Sequence, residues 1–172
     1  MGKEKKGEPV PIMDGAKLVG KIGDYELGLL DVVSDKFGDT PRENYLVARV
    51  KKSLWTKSYI GGIFTYGNPK GDEKSYLMGF DFRYRTSEFL GNKNFYFVLY
   101  GLKTSTERMK GEDNAFGFSL SYPNDFFEAT FSQKQIEKNF NPALGFLYRK
   151  DIRKFMSYSN NTRLKIVFTS RF

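Results

Sequence analysis

Two short stretches of the sequence place a carboxylate among arginines at two-residue spacing. Side chains two residues apart share one face of a strand, so the charges of each stretch are expected to lie side by side. A carboxylate can accept hydrogen bonds from two guanidinium groups, which compensates their charges where water is scarce. We therefore predict a polar network inside a barrel or at its rim, made by Asp81, Arg83 and Arg85 in one stretch and by Arg149, Asp151 and Arg153 in the other.

The second of these stretches follows an Asn-Pro turn. Pro142 cannot donate to a strand ladder, and it biases Asn141 toward an extended or turn conformation. Alternation through the segment predicts that Lys150 and Lys154 lie near a rim, on the face opposite Asp151. The alternative interpretation is an ordinary connection between two strands, with all of its charges solvated.

Residue types exclude most catalytic chemistry. The sequence contains no cysteine and no histidine, which excludes thiol nucleophiles, histidine-based triads and nearly all zinc sites. We predict no metal and no cofactor. Asp81, Glu128 and Glu137 could pair for glycoside hydrolysis, but spacing along one chain does not show whether carboxylates converge. A carbohydrate-active hydrolase is therefore a third hypothesis, while the sequence as a whole favours a protein that is not an enzyme.

Composition favours an all-β protein. The 172 residues include 17 phenylalanines and 11 tyrosines, which favour strands, and 17 glycines, which suit turns and kinks. A net charge of +8 would suit an anionic partner. No recognition-helix, zinc-finger or aromatic RNA-binding pattern accompanies this charge, so we predict no nucleic-acid partner.

Period-2 alternation predicts an antiparallel up-and-down meander of about eight to ten strands, forming part or all of a transmembrane-type β-barrel. It is clearest at residues 76–86, where aromatic side chains alternate with glycine and charged side chains. Residues 133–139 could instead form a short turn of helix. We predict a polar lead-in at residues 1–14, a single barrel-like domain at residues 15–172, and strands at residues 16–22, 25–34, 44–52, 59–66, 76–86, 95–104, 115–122, 127–132 and 163–172.

One face of most predicted strands is aromatic or aliphatic, and the other is small or charged. A soluble barrel would turn the aromatic face inward and bind a small apolar ligand. A transmembrane barrel would turn the same face toward lipid. Several tyrosines fall near strand ends, where membrane barrels carry interfacial aromatic residues, and the alternation closes on Phe172 as in outer-membrane strands. The sequence pattern is compatible with both kinds of barrel.

Five segments occur in an order that resembles a known family: DGAKLVGKIG at 14–23, LGLL at 27–30, YLVARVKK at 45–52, IGGIFT at 60–65 and NFNPALGF at 139–146. They resemble the uncharacterised β-barrel domain that follows a carbohydrate-binding family 9-like module in large bacterial outer-membrane and surface proteins. The resemblance covers most of residues 14–155.

This resemblance implies a location in the bacterial outer membrane, contact with outer-membrane lipid, and a link to glycan or nutrient handling through an upstream sugar-binding-like module. No catalytic motif comes with it. The first eleven residues are charged and lack the apolar run of a secretory signal, and the chain is much shorter than the family's barrels. We therefore expect a fragment of a larger barrel, and the oligomeric state is left open.

Overall fold

The alternating pattern forms strands along most of the chain. A computed structural model describes residues 4–5, 8–36, 41–69, 73–107, 109–161 and 164–171. None of the described residues forms a helix that is long and apolar enough to cross a membrane. The strands are β1 (Glu4–Lys5), β2 (Glu8–Pro9), β3 (Ile12–Ile22), β4 (Tyr25–Ser34), β5 (Glu43–Leu54), β6 (Ser58–Tyr66), β7 (Ser75–Phe89), β8 (Lys93–Thr106), β9 (Asn114–Pro123), β10 (Phe127–Ile136), β11 (Ile152–Asn161) and β12 (Leu164–Arg171).

Ten of these strands form one sheet, while β1 and β2 form a separate antiparallel pair. Within the sheet each strand pairs with its neighbours in the sequence, so the order runs from β3 to β12 without a crossover. Every pairing is antiparallel. Among the described residues the edge strands β3 and β12 are not paired with each other, so the sheet is open. The predicted all-β antiparallel meander is confirmed.

Three local features differ from the predicted pattern. β3 begins at Ile12, inside the predicted polar lead-in. β10 continues to Ile136, through the segment that could have formed a turn of helix. β11 is a strand that the alternation does not predict. Arg163 and Phe172, the ends of the last predicted strand, lie outside the described residues.

The connections between strands differ in length at the two ends of the sheet. At one end, here the short-turn end, residues 23–24, 55–57, 90–92 and 124–126 join neighbouring strands. At the other, the long-loop end, the connections are residues 35–42, 67–74, 107–113 and 137–151. Gly23 and Gly91 adopt positive φ angles of 56° and 98° in two of the short turns, a conformation open to glycine at no steric cost.

Cross-strand register assigns the side chains to two faces, because directly paired residues point to the same side of a sheet. Phe82 pairs with Leu99, and Leu99 pairs with Phe118. The phenylalanines of β7, β9 and β10 therefore lie on one face. We call this the aromatic face; it includes Leu18, Leu29, Ala48, Phe64, Phe80, Phe82, Leu99, Phe116, Phe118, Phe127 and Phe131. The opposite side, the polar face, includes Arg49, Lys51, Tyr59, Gly61, Asp81, Arg83, Tyr100, Gly117, Ser119 and Lys134.

A small apolar core covers the polar face at its long-loop end. Phe140, in the connection between β10 and β11, is 3% exposed and packs with the buried residues Leu77 and Ala115. Four partly buried side chains surround this cluster: Ile63, Leu102, Ile136 and Leu147. The connection therefore folds back over the polar face instead of extending away from the sheet.

Candidate functional site

Two ion pairs link the strands of the polar face. Arg49 of β5 and Asp81 of β7 reach each other across β6, with Arg49 Nη1 2.6 Å from Asp81 Oδ1. A Cβ at Gly61 of β6 would lie 2.7 Å from Arg49 Nη2 and 3.0 Å from Asp81 Oδ1, so glycine leaves the space that this pair occupies. Beside it, Lys51 Nζ lies 2.6 Å from an oxygen of Glu26.

Tyrosine rings hold the other arginines of this face. The Arg83 guanidinium lies over the Tyr59 ring, 5.2 Å from its centre. Arg85 lies 4.7 Å from the centre of the Tyr96 ring and donates from Nη2 to the Tyr96 hydroxyl at 3.3 Å. Contacts between a cation and a ring face hold charge without a carboxylate. The first predicted stretch thus lies on one face, with Asp81 paired to Arg49 and its two arginines against tyrosine rings.

The second predicted stretch is not part of this network. Arg149 and Asp151 are exposed residues of the connection that precedes β11. Arg153 pairs in register with Gln135, and its Nε donates to Gln135 Oε1 at 2.9 Å. Since Gln135 pairs with Phe116 on its other side, Arg153 belongs to the aromatic face. No ion pair joins Asp151 to either arginine within the described residues.

The position of β11 explains why these three residues do not point inward together. Regular alternation begins only at Ile152, so residues 149–151 do not share its faces. Lys154, predicted to lie opposite the network, instead lies on the polar face, where it pairs with Lys134. Lys150 is exposed in the connection.

The carboxylates considered for glycoside hydrolysis are not brought together. Register aligns Asp81 with Lys134 across three strand pairs, and Glu128 lies roughly 20 Å further along β10. Paired glycosidase carboxylates lie within roughly 10 Å of each other. Glu137 accepts hydrogen bonds from the backbone and side-chain amides of Asn114, at 2.9 and 2.8 Å. In the described ranges no group of three acidic residues could hold a metal ion.

Hydrogen bonds fix the connections that follow β8 and β10 to each other. The Asn139 backbone N–H donates to the Glu112 carbonyl at 2.9 Å, and the Asn141 backbone N–H donates to Thr104 Oγ1 at 3.1 Å. The ammonium group of Lys138 pairs with the Glu112 carboxylate, and this hydrogen bond raises the pKa of Lys138 above its ordinary value. These hydrogen bonds and the ion pair therefore hold the connections at the long-loop end of β8–β11 together.

A line of aromatic rings follows the short-turn edge of the aromatic face. Successive ring centres are 4.7 to 6.4 Å apart, in the order Trp55, Tyr84, Phe95, Phe89, Tyr122 and Phe127. Toward the long-loop end, Tyr66 and Tyr76 form a second contact at 5.2 Å. Tyrosine placement in the sequence indicates part of this line, but not the turn residue Trp55. Two other tyrosines near strand ends, Tyr45 and Tyr59, lie on the polar face.

No protein-family model, curated protein or solved structure matches this chain. The family resemblance of its five segments stays a prediction.

Replacing Asp81 by asparagine should lower the free energy of unfolding by about 1–2 kcal/mol, because it leaves Arg49 without its charged partner in a partly covered position. The side chains of Asp81 and Arg49 are 22% and 34% exposed. Urea denaturation measures the loss. Glu26→Gln is the matched control: it breaks a more exposed pair on the same face and should cost less. Equal losses in the two variants would show that the central pair has no special role.

Proposed function

We propose that this chain forms part of the wall of an outer-membrane β-barrel, with its aromatic face toward lipid and its polar face toward the interior. The observation that carries the proposal is the exposure of the aromatic face. Leu18, Met78 and Phe80 are 62%, 60% and 50% exposed. Covering a large apolar side chain is worth roughly 1.5–3 kcal/mol, and an apolar surface that extends over many strands marks contact with a membrane or a partner.

The distribution of charge on the aromatic face supports contact with lipid. In β6–β9 the middle of this face carries only apolar side chains and glycine, such as Gly62, Phe80, Leu99 and Phe118. A basic side chain at the bilayer midplane costs about 2–4 kcal/mol, so a lipid-facing band must exclude charge there. Charged residues of this face lie toward strand ends: Asp14, Asp31, Lys52, Lys103 and Arg153.

Strand length and connection length support the same proposal. The strands of the large sheet have 8 to 15 residues, whereas strands of soluble proteins average about 5–6 and a tilted transmembrane strand needs about 9–11. Outer-membrane barrels have short turns on one side and longer loops on the other. The sheet has this asymmetry, and the ring line from Trp55 to Phe127 would lie at the membrane interface of the short-turn side.

The two open edges of the sheet, β3 and β12, would need further strands as partners in a membrane. In lipid every backbone N–H and C=O group must be paired, so β3 and β12 cannot face hydrocarbon as free edges. We propose that they pair with further strands of a larger barrel or of another chain. Lipid is then the partner of the aromatic face. The link to glycan or nutrient handling rests on the family resemblance alone, and the carboxylate positions do not favour the hydrolase hypothesis.

A soluble barrel that closes around the aromatic face and binds a small apolar ligand is the second candidate. It would account for the alternation and for the apolar side chains. It gives no reason for rings to gather at the two edges of the face, whereas tyrosine and tryptophan concentrate at membrane interfaces because one part of the ring is apolar and the other is wet. We therefore favour the membrane wall.

Fluorescence quenching distinguishes the two candidates. Trp55 is the single tryptophan, so Trp55→Phe provides a background for a new reporter. Phe118→Trp and Ser119→Trp place the reporter on adjacent residues of β9 that lie on opposite faces. In phosphatidylcholine vesicles, lipids brominated deep in their acyl chains should quench the first reporter several-fold more strongly than the second, since quenching requires contact with lipid.

Aqueous iodide provides the reverse measurement on the same two variants. It should quench Ser119→Trp more than Phe118→Trp if the polar face lines a wet interior. Preferential iodide quenching of Phe118→Trp in vesicles would contradict the membrane wall. A monodisperse monomer in detergent-free buffer, with both reporters inaccessible to brominated lipid, would support the soluble barrel.

A further inference from the structure

Two lysines lie directly opposite each other on the polar face. Lys134 of β10 pairs in register with Lys154 of β11. Like charges directly opposite each other destabilise a pair of strands. Neither lysine forms an ion pair with another described residue. The sequence thus accumulates positive charge at a place where the sheet itself gains nothing from it.

Two other cations on the same face are compensated by carboxylates from neighbouring strands, and Arg83 and Arg85 lie against tyrosine rings. Arg49 is paired with Asp81, and Lys51 is paired with Glu26, each at 2.6 Å. The polar face therefore supplies acidic partners between β4 and β7, but none at the paired lysines of β10 and β11. An anion from solution would supply the missing charge.

A cavity of about 590 Å³ lies beside these lysines, between β10–β11 and the connection that precedes β11. Its charged lining consists of four cations and one carboxylate: Lys134, Arg149, Arg153, Lys154 and Asp151. Arg153 is already bound to Gln135, and Asp151 acts electrostatically on Lys138. Two lysines and Arg149 remain available to a ligand. Leu147 and Tyr148 add apolar surface to the same wall.

We propose that this cavity binds the phosphate group of a small organic solute. Lysine ammonium groups act as point charges, and an arginine fork can bind two phosphate oxygens at once, so the set suits a compact, doubly charged anion better than a single carboxylate. The ring of Tyr148 and the side chain of Leu147 would contact the carbon skeleton. Because its two lysines lie on the polar face, the site does not depend on the proposed contact between the aromatic face and lipid.

Stability measurements on the full chain in detergent micelles test the site, with phenyl phosphate as the probe. Phenyl phosphate should raise the unfolding temperature of the original chain in a saturable manner, because a ligand that binds only the folded state stabilises it. Lys134→Gln and Lys154→Gln should each weaken the apparent affinity by about tenfold or more, as loss of a hydrogen bond to a charged group does. Without the probe both variants should unfold at a higher temperature, since the like-charge contact is gone.

Lys57→Gln is the matched control. Lys57 is an exposed lysine at the short-turn end that donates to Ser87 at 3.3 Å, so its removal changes the net charge equally without touching the cavity. The Lys57→Gln variant should bind phenyl phosphate with the same affinity as the original chain. An equal loss of affinity in all three variants, or no stabilisation of the original chain by either phenyl phosphate or phosphatidic acid, would overturn the proposal. Stabilisation by phosphatidic acid but not by phenyl phosphate, lost in the two cavity variants, would keep the phosphate site but assign it to a lipid headgroup.

Discussion

Replacing Phe140 by alanine should lower the free energy of unfolding by about 3–5 kcal/mol. The ring is 3% exposed and forms, with Leu77 and Ala115, the buried apolar cluster of the long-loop end. Alanine would leave a cavity that the surrounding strands cannot fill, because they are held by ladder hydrogen bonds to neighbours on both sides. Urea denaturation, followed by near-ultraviolet circular dichroism in micelles, measures the change.

The same substitution should release the connection from the polar face. Residues 137–151 lie over β7–β9 through Phe140, so we expect proteolysis to cleave this connection much faster in the variant. Phe146→Ala is the matched control, because Phe146 belongs to the same connection but is 85% exposed. It should change the free energy of unfolding by less than about 0.5 kcal/mol. Similar losses in the two variants would show that Phe140 does not anchor the connection.

Most strands could be predicted from the sequence because one physical signal determines them. A sheet with one apolar face requires period-2 alternation, and β7 shows it clearly at residues 78–85. A turn could be predicted equally well where the sequence places a glycine that adopts a positive φ, as at Gly23. The aromatic face could be predicted for the same reason, since register in a meander follows from the alternation once the turn lengths are known.

β11 could not be predicted because its faces do not differ in polarity. On one side it carries Arg153 and Phe155, and on the other Lys154 and Met156. When the two faces of a strand carry similar residues, the sequence shows no period-2 pattern. Counting alternate residues through 149–151 therefore groups Arg153 with Arg149 and Asp151, whereas Arg153 lies on the aromatic face. The paired lysines on the polar face are missed for the same reason, because their proximity is a property of register between β10 and β11.

The ion pair between Arg49 and Asp81 depends on contacts across three strands. Both residues stand in predicted strands, so the face of each could be assigned by counting along its strand. Their contact could not, because it needs the glycine at position 61 to lie between them in β6. Nothing in the sequence distinguishes Gly61 from other glycines in strands. The burial of Phe140 is likewise a tertiary event, since its neighbours in the sequence are polar or belong to a turn.

Replacing Leu99 by arginine should reduce insertion into vesicles and lower the free energy of unfolding there by about 2–4 kcal/mol, the cost of a basic side chain near the bilayer midplane. Leu99 lies midway along β8 on the aromatic face, between the phenylalanines Phe82 and Phe118 with which it pairs. No charged residue of that face is near enough in register to compensate a guanidinium group there. The fraction of chain protected from protease by vesicles measures insertion, and urea titration of the inserted protein measures stability.

Val98→Arg is the control, because residue 98 is adjacent in the chain and lies on the polar face. Its cross-strand partners are Arg83 and Ser119, so a wet interior should tolerate the new charge apart from modest repulsion. The proposed membrane wall therefore requires the adjacent substitutions to differ, with the larger loss at Leu99. Equal insertion of both variants, or a larger loss for Val98→Arg, would mean that the aromatic face does not meet lipid and would favour closure of the sheet around it.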